Sequence, residues 1–166
     1  MKAEADPHLV PTVADGDRRK LSIMVDYLLG RGVSGALPRD GFVFVRSRRS
    51  GRLRLIFHKG RLFATVKPSG SMALSLYGAE TLSKAPKFRE NCVQVSEEAS
   101  AFVRGGKSVF CKFVSDAGKN VLPRGEVAIV DPHGRVIGVG MAILNGRHMA
   151  LFKSGVAVKV REGLSN

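Results

Sequence analysis

Residues 91–108 read NCVQVSEEASAFVRGGKS, and this stretch decides the fold of the second half of the chain. Its first five residues favour a strand, and Ser96 followed by two acidic residues is typical of a helix start. The pair Gly105-Gly106 ends that helix, because glycine readily adopts the backbone conformation that follows the last helical turn. The next residues, VFCKFV, are again a β-type run. The stretch therefore predicts a strand, a short helix, a glycine turn and a second strand.

The segment AFVRGGKS (101–108) also satisfies the relaxed nucleotide-binding pattern [AG]xxxxGK[ST]. A phosphate-binding loop of that kind leaves a strand and opens a helix, whose N-terminal amides hold the phosphates. Here the order is reversed, so we expect no bound ATP or GTP and no cofactor. The glycine turn suits another role, because backbone amides can approach a phosphate closely while Arg104 and Lys107 add charge. The alternative interpretation is a plain helix end.

Short strands separated by the turn sequences PRG, DPHG, NG and KSG dominate the remainder of the second half. They are predicted at 108–114, 126–131, 135–143, 147–152 and 156–161. Several short strands with one early helix favour a small closed or nearly closed β-barrel.

Working outward to the N-terminus, the spacing of apolar residues predicts one helix, with Asp15 or Asp17 as its N-cap and Gly30 as its end. The apolar face consists of Leu21, Met24, Val25, Leu28 and Leu29. Before it, residues 1–16 contain two prolines and no hydrophobic period, which indicates an irregular arm.

Three strand-forming runs follow the helix, at 42–46, 52–58 and 61–66, and hairpin turns are expected at Ser50-Gly51 and Lys59-Gly60. They predict an antiparallel meander. In the middle strand the alternation places Leu53, Leu55 and Phe57 on an apolar face, and Arg52, Arg54 and Ile56 on a mostly basic one. Residues 72–82 are expected to form a strand that runs into a short helix.

The polar, proline-containing segment SKAPKFR (83–89) marks the expected domain boundary. The chain is therefore predicted to be an α+β protein. We expect an arm over 1–16, a basic α+β module over 17–88 and a barrel over 89–166.

Charge is the most informative feature of the composition. The chain has 27 Lys and Arg residues against 14 Asp and Glu, a formal net charge of +13, which favours a polyanionic partner over a merely soluble surface. Residues 1–90 hold 17 of the basic side chains, and eight basic residues without an acid lie between Asp40 and Glu80. Six of those eight are arginines, which bind phosphate in a bidentate manner. The candidate contacts in this cluster are Arg46, Arg48, Arg49, Arg52 and Arg54.

Other classes of function find little support in the sequence. Cys92 and Cys111 form no zinc-ligand spacing with the four scattered histidines, so no metal site is predicted, and two buried thiols are favoured over a disulfide. No grouping of side chains indicates catalysis. In the first half, Phe42, Phe44, Phe57 and Phe63 occupy core-like positions and no exposed stacking platform is evident, so we favour backbone or duplex recognition. Without a membrane-spanning run or signal peptide, a cytoplasmic protein is expected.

The second half resembles the PUA domain, an RNA-binding pseudo-barrel. The resemblance covers about 91–163 and rests on six elements in order: CVQV, SEEASAFV, RGGKSVF, EVAIVD, HGRVIGVGMAIL and FKSGVAVKVRE. It implies that the glycine turn and the final strand face RNA. The implied contacts are Arg104, Gly105, Gly106, Lys107 and Ser108, with Lys153 and Lys112 as further candidates.

The first half, notably residues 53–82, is similar to the small domain that precedes PUA in archaeal tRNA-guanine (archaeosine) transglycosylases. The catalytic barrel of that family has no counterpart in this sequence. The resemblance thus implies a non-enzymatic protein that binds structured RNA, with tRNA as the first candidate and rRNA as the second. Two alternatives stay open: a detached RNA-recognition subunit with a catalytic partner, and a ribosome-associated or translation factor.

Overall fold

A computed structural model describes residues 9–12 and 15–164. The first half contains five strands and two helices: β1 (Leu9–Thr12), α1 (Asp15–Leu29), β2 (Phe42–Ser47), β3 (Leu53–His58), β4 (Arg61–Val66), β5 (Met72–Leu74) and α2 (Leu76–Leu82). The strands form one antiparallel sheet in the order β1-β2-β3-β4-β5. The predicted helix and meander are confirmed.

The N-terminal arm differs from the expectation over part of its length. Leu9–Thr12 pairs with β2 as an edge strand instead of being irregular, and positions 15 and 16 already belong to α1. The other positions of the expected arm, 1–8 and 13–14, lie outside the described residues. Asp17 is not an N-cap but lies inside the first turn of α1, where its carboxylate accepts a hydrogen bond from Arg46 Nη2 at 2.5 Å. This bond places α1 on the Arg46 face of the sheet.

The two faces of β3 are not those that simple alternation predicts. The register with β2 shifts between Val45 and Arg46, so that Arg54 becomes the extra residue of a bulge and Leu53 turns toward the core. Ile56, opposite Phe44, is fully buried, whereas Leu55 and Phe57 are half-buried on the other face. Assigning Ile56 to the basic face was therefore wrong.

The second half contains six strands and two helices: β6 (Cys92–Val95), α3 (Glu97–Arg104), β7 (Val109–Phe110), β8 (Val114–Ala117), β9 (Glu126–Val130), β10 (Val136–Ala142), α4 (Gly146–Met149) and β11 (Val156–Gly163). Their order in the sheet is β7-β11-β10-β9-β6-β8. The two edge strands, β7 and β8, are joined along the chain by one 3-10 turn, Cys111–Phe113. That short connection curls the sheet into the nearly closed barrel that the sequence predicted.

Three local expectations in this half were wrong. The strand expected at 108–114 is divided between β7 and β8, which pair with different partners. The strand expected at 147–152 is absent from this described segment, because Asn145 Oδ1 accepts the Arg147 amide at 3.0 Å and caps α4. Ser96 occupies the N-cap position of α3, but its hydroxyl makes no capping bond.

Two clusters of buried side chains hold the fold together, and one of them is shared by both halves. Successive residues of β6 and β9 point to opposite sides of the sheet: Ile129 lies inside the barrel, while Ala128 and Val130 join the cluster around α1 and the first sheet. A buried hydrogen bond, Asn91 Nδ2 to the Leu29 carbonyl at 2.7 Å, connects the halves as well. Because of this sharing, the first sheet and the barrel are packed against each other.

Candidate nucleic-acid interface

The glycine turn after α3 is a Schellman-type helix end. The Gly106 amide donates to the Val103 carbonyl at 2.9 Å, and the Lys107 amide donates to the Phe102 carbonyl at 3.0 Å. Gly106 has a φ of 79°, which glycine adopts without strain. Since these amides already have acceptors, a phosphate approaching the turn meets side chains first.

The end of β11 packs directly against the glycine turn. A Cβ built on Gly163 of β11 would lie 2.4 Å from the Val103 carbonyl oxygen and 2.5 Å from that of Arg104. Only a residue without a side chain permits this approach. The position of the turn relative to the barrel is therefore fixed by close backbone packing.

Arg104 is held by a buried acid. Its Nη2 lies 3.5 Å from Oδ2 of Asp131, whose side chain is only 1% exposed. Burial alone would raise the pKa of Asp131, but the Arg135 amide and guanidinium and the His133 amide outweigh it, so the pKa is lowered from its ordinary value. The charge of Arg104 is thus partly compensated, and the side chain helps to anchor α3 on the β9–β10 turn.

An apolar hollow opens beside the turn, with two lysines over aromatic rings. Phe102 and Phe110 are 50% and 46% exposed, and together with Phe113 they line a cavity of about 310 Å³. Lys107 Nζ lies 5.6 Å from the Phe102 ring centroid, and Lys112 Nζ lies 4.6 Å from that of Phe113. The core positions expected for Phe42, Phe44 and Phe63 are confirmed, but the sequence interpretation did not consider the exposed rings of the second half. We call this feature the aromatic hollow.

The other candidates of the barrel lie around this hollow. Ser108 lines it directly. Lys153 is exposed in the turn before β11, and this turn is beside β7, because the Cys111 amide donates to the Gly155 carbonyl at 2.9 Å. The structure therefore brings Lys107, Ser108, Lys112 and Lys153 to one side of the barrel.

The five arginines of the first sheet do not form one group. Arg46 is engaged by Asp17 and by the Gly51 carbonyl. Arg48 and Arg49 are exposed in the β2–β3 turn. Arg52 and Arg54 line a second cavity with Arg46, together with two lysines from distant segments, Lys20 and Lys67.

Each half of the chain matches the model of a known protein family. The family model described as "PUA domain" matches residues 91–164. The model described as "Patch-forming domain C2 of tRNA-guanine transglycosylase" matches residues 19–88. Both matches confirm the resemblances that the sequence indicated.

The similar curated proteins are much longer than this chain. It is 40% identical over 148 residues to the tRNA-guanine(15) transglycosylase of Thermococcus onnurineus, covering 89% of this chain and 25% of the relative. The enzyme of Thermococcus kodakarensis is 38% identical over 151 residues, with 90% and 26% covered. The chain therefore spans about a quarter of the length of these relatives.

Solved structures confirm the fold. A PUA domain structure from Aeropyrum pernix K1 superimposes with a TM-score of 0.66 at 16% identity, covering 95% of this chain and 88% of that one. A hypothetical protein from Pyrococcus horikoshii gives a TM-score of 0.64 at 18% identity, with 95% of each chain covered. The arrangement of both halves is thus found in other proteins.

Two further findings bear on the site. Residues 9–12 and 15–164 contain no group of three or more His, Cys, Asp or Glu side chains placed to hold a metal ion. In the same part of the chain, no helix combines the length and apolar character needed to cross a bilayer.

Proposed function

We propose that this protein binds structured RNA, with tRNA as the first candidate, and that it acts by binding and not by catalysis. The observation that carries the proposal is the aromatic hollow of the PUA domain, where Lys107 and Lys112 lie over exposed or half-exposed aromatic rings. The relatives are tRNA-guanine(15) transglycosylases, and this relationship to tRNA supports the choice of RNA.

The hollow combines the two contacts that an unpaired nucleotide needs. The faces of Phe102 and Phe110 can stack on a base, a contact worth about 1–3 kcal/mol per base. Lys107 and Lys112 supply positive charge for the neighbouring phosphates. We therefore propose that an unpaired end or loop of the RNA enters the hollow, which revises the preference for purely duplex recognition.

The basic first sheet extends the proposed surface. Arg48, Arg49, Arg52 and Arg54 are all exposed. We propose that Arg52 and Arg54 contact phosphate directly, whereas Arg48 and Arg49 in the β2–β3 turn add only diffuse attraction to the RNA. The shared core and the Lys67–Glu126 ion pair across the two halves support a single RNA-binding unit made of residues 17–88 and 89–166.

A detached RNA-recognition subunit is the second candidate function. It is favoured by the length comparison, because the matched stretch is about a quarter of each relative. This version of the proposal requires a separate protein that supplies the catalytic part. A stable partner retained during gentle purification is its expected signature, and a chain that remains alone in the cell extract would contradict it.

The test of RNA binding is a titration of full-length protein against an unmodified tRNA transcript at several salt concentrations. We expect affinity to fall linearly on logarithmic axes, with a slope of roughly −5 if about six phosphates are neutralised. Sequencing of RNA crosslinked to the protein in cells then identifies the partner. Enriched tRNA supports the proposal, enriched rRNA supports the ribosome-associated alternative, and salt-independent or absent binding contradicts both.

A further inference from the structure

A second cavity lies in the first half of the chain, between α1 and strands β2, β3 and β4. Its volume is about 380 Å³, within the ~300–1,000 Å³ range of small-ligand sites. Its lining contains four apolar residues, here called the apolar wall, and five basic residues, here called the basic rim: Met24, Leu53, Val66 and Pro68, and Lys20, Arg46, Arg52, Arg54 and Lys67. We call it the arginine cavity.

The charges around the arginine cavity are not balanced. Asp17 is the only acid in its lining, and this carboxylate is 8% exposed and already bound by Arg46, with Lys20 Nζ at 3.6 Å. Lys67 pairs with Glu126. Within residues 9–12 and 15–164, Arg52 and Arg54 form no ion pair. Two guanidinium groups thus have no acidic partner there.

The bulge in β3 lies at the cavity, and its residues Leu53 and Arg54 are part of the lining. The register shift makes Arg54 the extra residue, so that Leu53 turns inward while Arg52 and Arg54 remain exposed on either side of it. Asp17 then holds Arg46 against α1 and keeps this guanidinium from filling the space. The fold therefore sets the backbone positions from which Arg52 and Arg54 extend, and it turns Leu53 toward the core between them.

We propose that the arginine cavity binds one nucleotide of the RNA, with its phosphate on Arg52 and Arg54 and its base or ribose against Met24 and Leu53. A bare phosphate would use the basic rim but leave the apolar wall unoccupied, whereas a nucleotide matches both. Arginine binds phosphate oxygens in a bidentate manner, which suits a defined position more than diffuse attraction. This inference rests on the proposed function and adds a nucleotide site outside the PUA domain.

The chain offers matched controls for this site. Arg48 and Arg49 are exposed in the adjacent turn and do not line the cavity, so R48Q/R49Q removes the same charge as R52Q/R54Q. In α1, Met24 faces the cavity, whereas the neighbouring Ile23 is 61% exposed and does not line it. M24E therefore places a carboxylate in the cavity, and I23E adds the same charge outside it.

The experiment has two arms, both with the full chain and with circular dichroism and melting curves as a check on folding. In the first, uridine 5′-monophosphate, uridine and inorganic phosphate are titrated while backbone amide NMR shifts are recorded. We expect saturable shifts around Gly70 and Leu53 that are largest with the monophosphate, absent in R52Q/R54Q and retained in R48Q/R49Q. No saturable shift at the cavity in the wild-type protein would overturn the inference.

The second arm measures tRNA affinity at moderate salt. We expect R52Q/R54Q to weaken tRNA binding at least tenfold and R48Q/R49Q to weaken it by no more than about threefold. We also expect M24E to bind tRNA more weakly than I23E does. Equal losses of tRNA affinity in R52Q/R54Q and R48Q/R49Q would overturn the proposed nucleotide site in the arginine cavity, while the proposal of RNA binding would stand. If the wild-type chain binds no RNA, the proposed function fails. The titration with uridine 5′-monophosphate then tests separately whether the arginine cavity binds a nucleotide. The arginine pairs keep the test decisive if M24E does not fold.

Discussion

Arg104 Nη2 lies 3.5 Å from Oδ2 of Asp131, a carboxylate that is almost completely buried. Three N–H groups from two residues of the β9–β10 turn donate to the same carboxylate: the Arg135 side chain at 2.8 Å and the backbone amides of His133 and Arg135 at 2.9 Å and 3.0 Å. Arg104 and Lys107 are therefore not equivalent, although the sequence places both at the glycine turn. One holds the helix in place, and the other is exposed beside the aromatic hollow.

This difference predicts separate effects of R104Q and K107Q. R104Q should lower the melting temperature, because a buried carboxylate loses one of its partners, whereas K107Q should leave it unchanged. K107Q should weaken tRNA binding more than R104Q does at equal folded fraction. Differential scanning fluorimetry and a tRNA titration measure both effects. A reversed order in the two assays would contradict the assignment.

The lowered pKa of Asp131 predicts a specific acid sensitivity. The ionised form is favoured in the folded state, so its contribution to stability is complete above the ordinary value of 3.8 and is lost as the pH falls through the lower folded value. Urea unfolding of the wild type at pH 7 and near pH 3 should show this loss. D131N should be less stable than the wild type at pH 7 by about 1–3 kcal/mol, with a smaller difference in acid. A difference that does not depend on pH would contradict the prediction.

The buried Cys92 thiol predicts that the stability of the fold decreases at high pH. Burial raises the pKa of the Cys92 thiol to about 12 from 9.0, with Arg89 only partly offsetting the effect. Between these values the unfolded chain loses the thiol proton and the folded chain keeps it, so stability should decrease as the pH rises above 9.0. Comparing wild type with C92A at pH 7.5 and 10 isolates this contribution. Rapid alkylation of native Cys92 by iodoacetamide at neutral pH would contradict the raised pKa.

Gly163 predicts a packing effect that is transmitted to the glycine turn. In G163A the added methyl group would meet two carbonyl oxygens of α3, so β11 or the turn must shift. We expect a loss of about 1–3 kcal/mol in the free energy of unfolding, as for other overpacked sites. G51A is not a matched control, because Gly51 has a φ of 64°. Gly16, exposed in α1 with open space around its Cβ, is suitable, and G16A should cost nothing.

The order of elements could be predicted from sequence because local signals decide it. Gly60 at a positive φ closes the β3–β4 hairpin, and the glycines after Arg104 end α3. What the sequence could not show depends on tertiary contacts. The bulge at Arg54 inverts the faces of β3, and Asn145 caps a helical turn where the pair Asn145-Gly146 resembles a hairpin.

The candidate site was only partly predictable for the same reason. The Arg104–Asp131 contact joins residues 27 positions apart. The exposure of Phe110 follows from the 3-10 turn at Cys111–Phe113, which interrupts an otherwise ordinary β-type run. One local signal was available: in α3 the buried residues Ala99 and Val103 are four positions apart, which leaves Phe102 at the margin of the buried face.

The nucleotide-binding pattern at 101–108 gives a further prediction. The structure places a helix before the glycines and a strand after them, and α3 uses the Gly106 and Lys107 amides. ATP and GTP with magnesium should therefore give no saturable thermal shift. A ligand at a hundred times its dissociation constant stabilises by about 2.7 kcal/mol, so real binding would be visible. A magnesium-dependent shift abolished by K107Q would contradict this account.

The most direct test of RNA binding by the aromatic hollow compares K107Q/K112Q with K84Q/K87Q in one tRNA titration at moderate salt. All four lysines are exposed, so both variants lose the same charge, but Lys84 and Lys87 line neither the aromatic hollow nor the arginine cavity. We expect K107Q/K112Q to weaken binding at least tenfold, about 1.4 kcal/mol, while K84Q/K87Q stays within about twofold of the wild type. Equal losses in the two variants, with both folded, would show that net charge and not the hollow determines RNA binding.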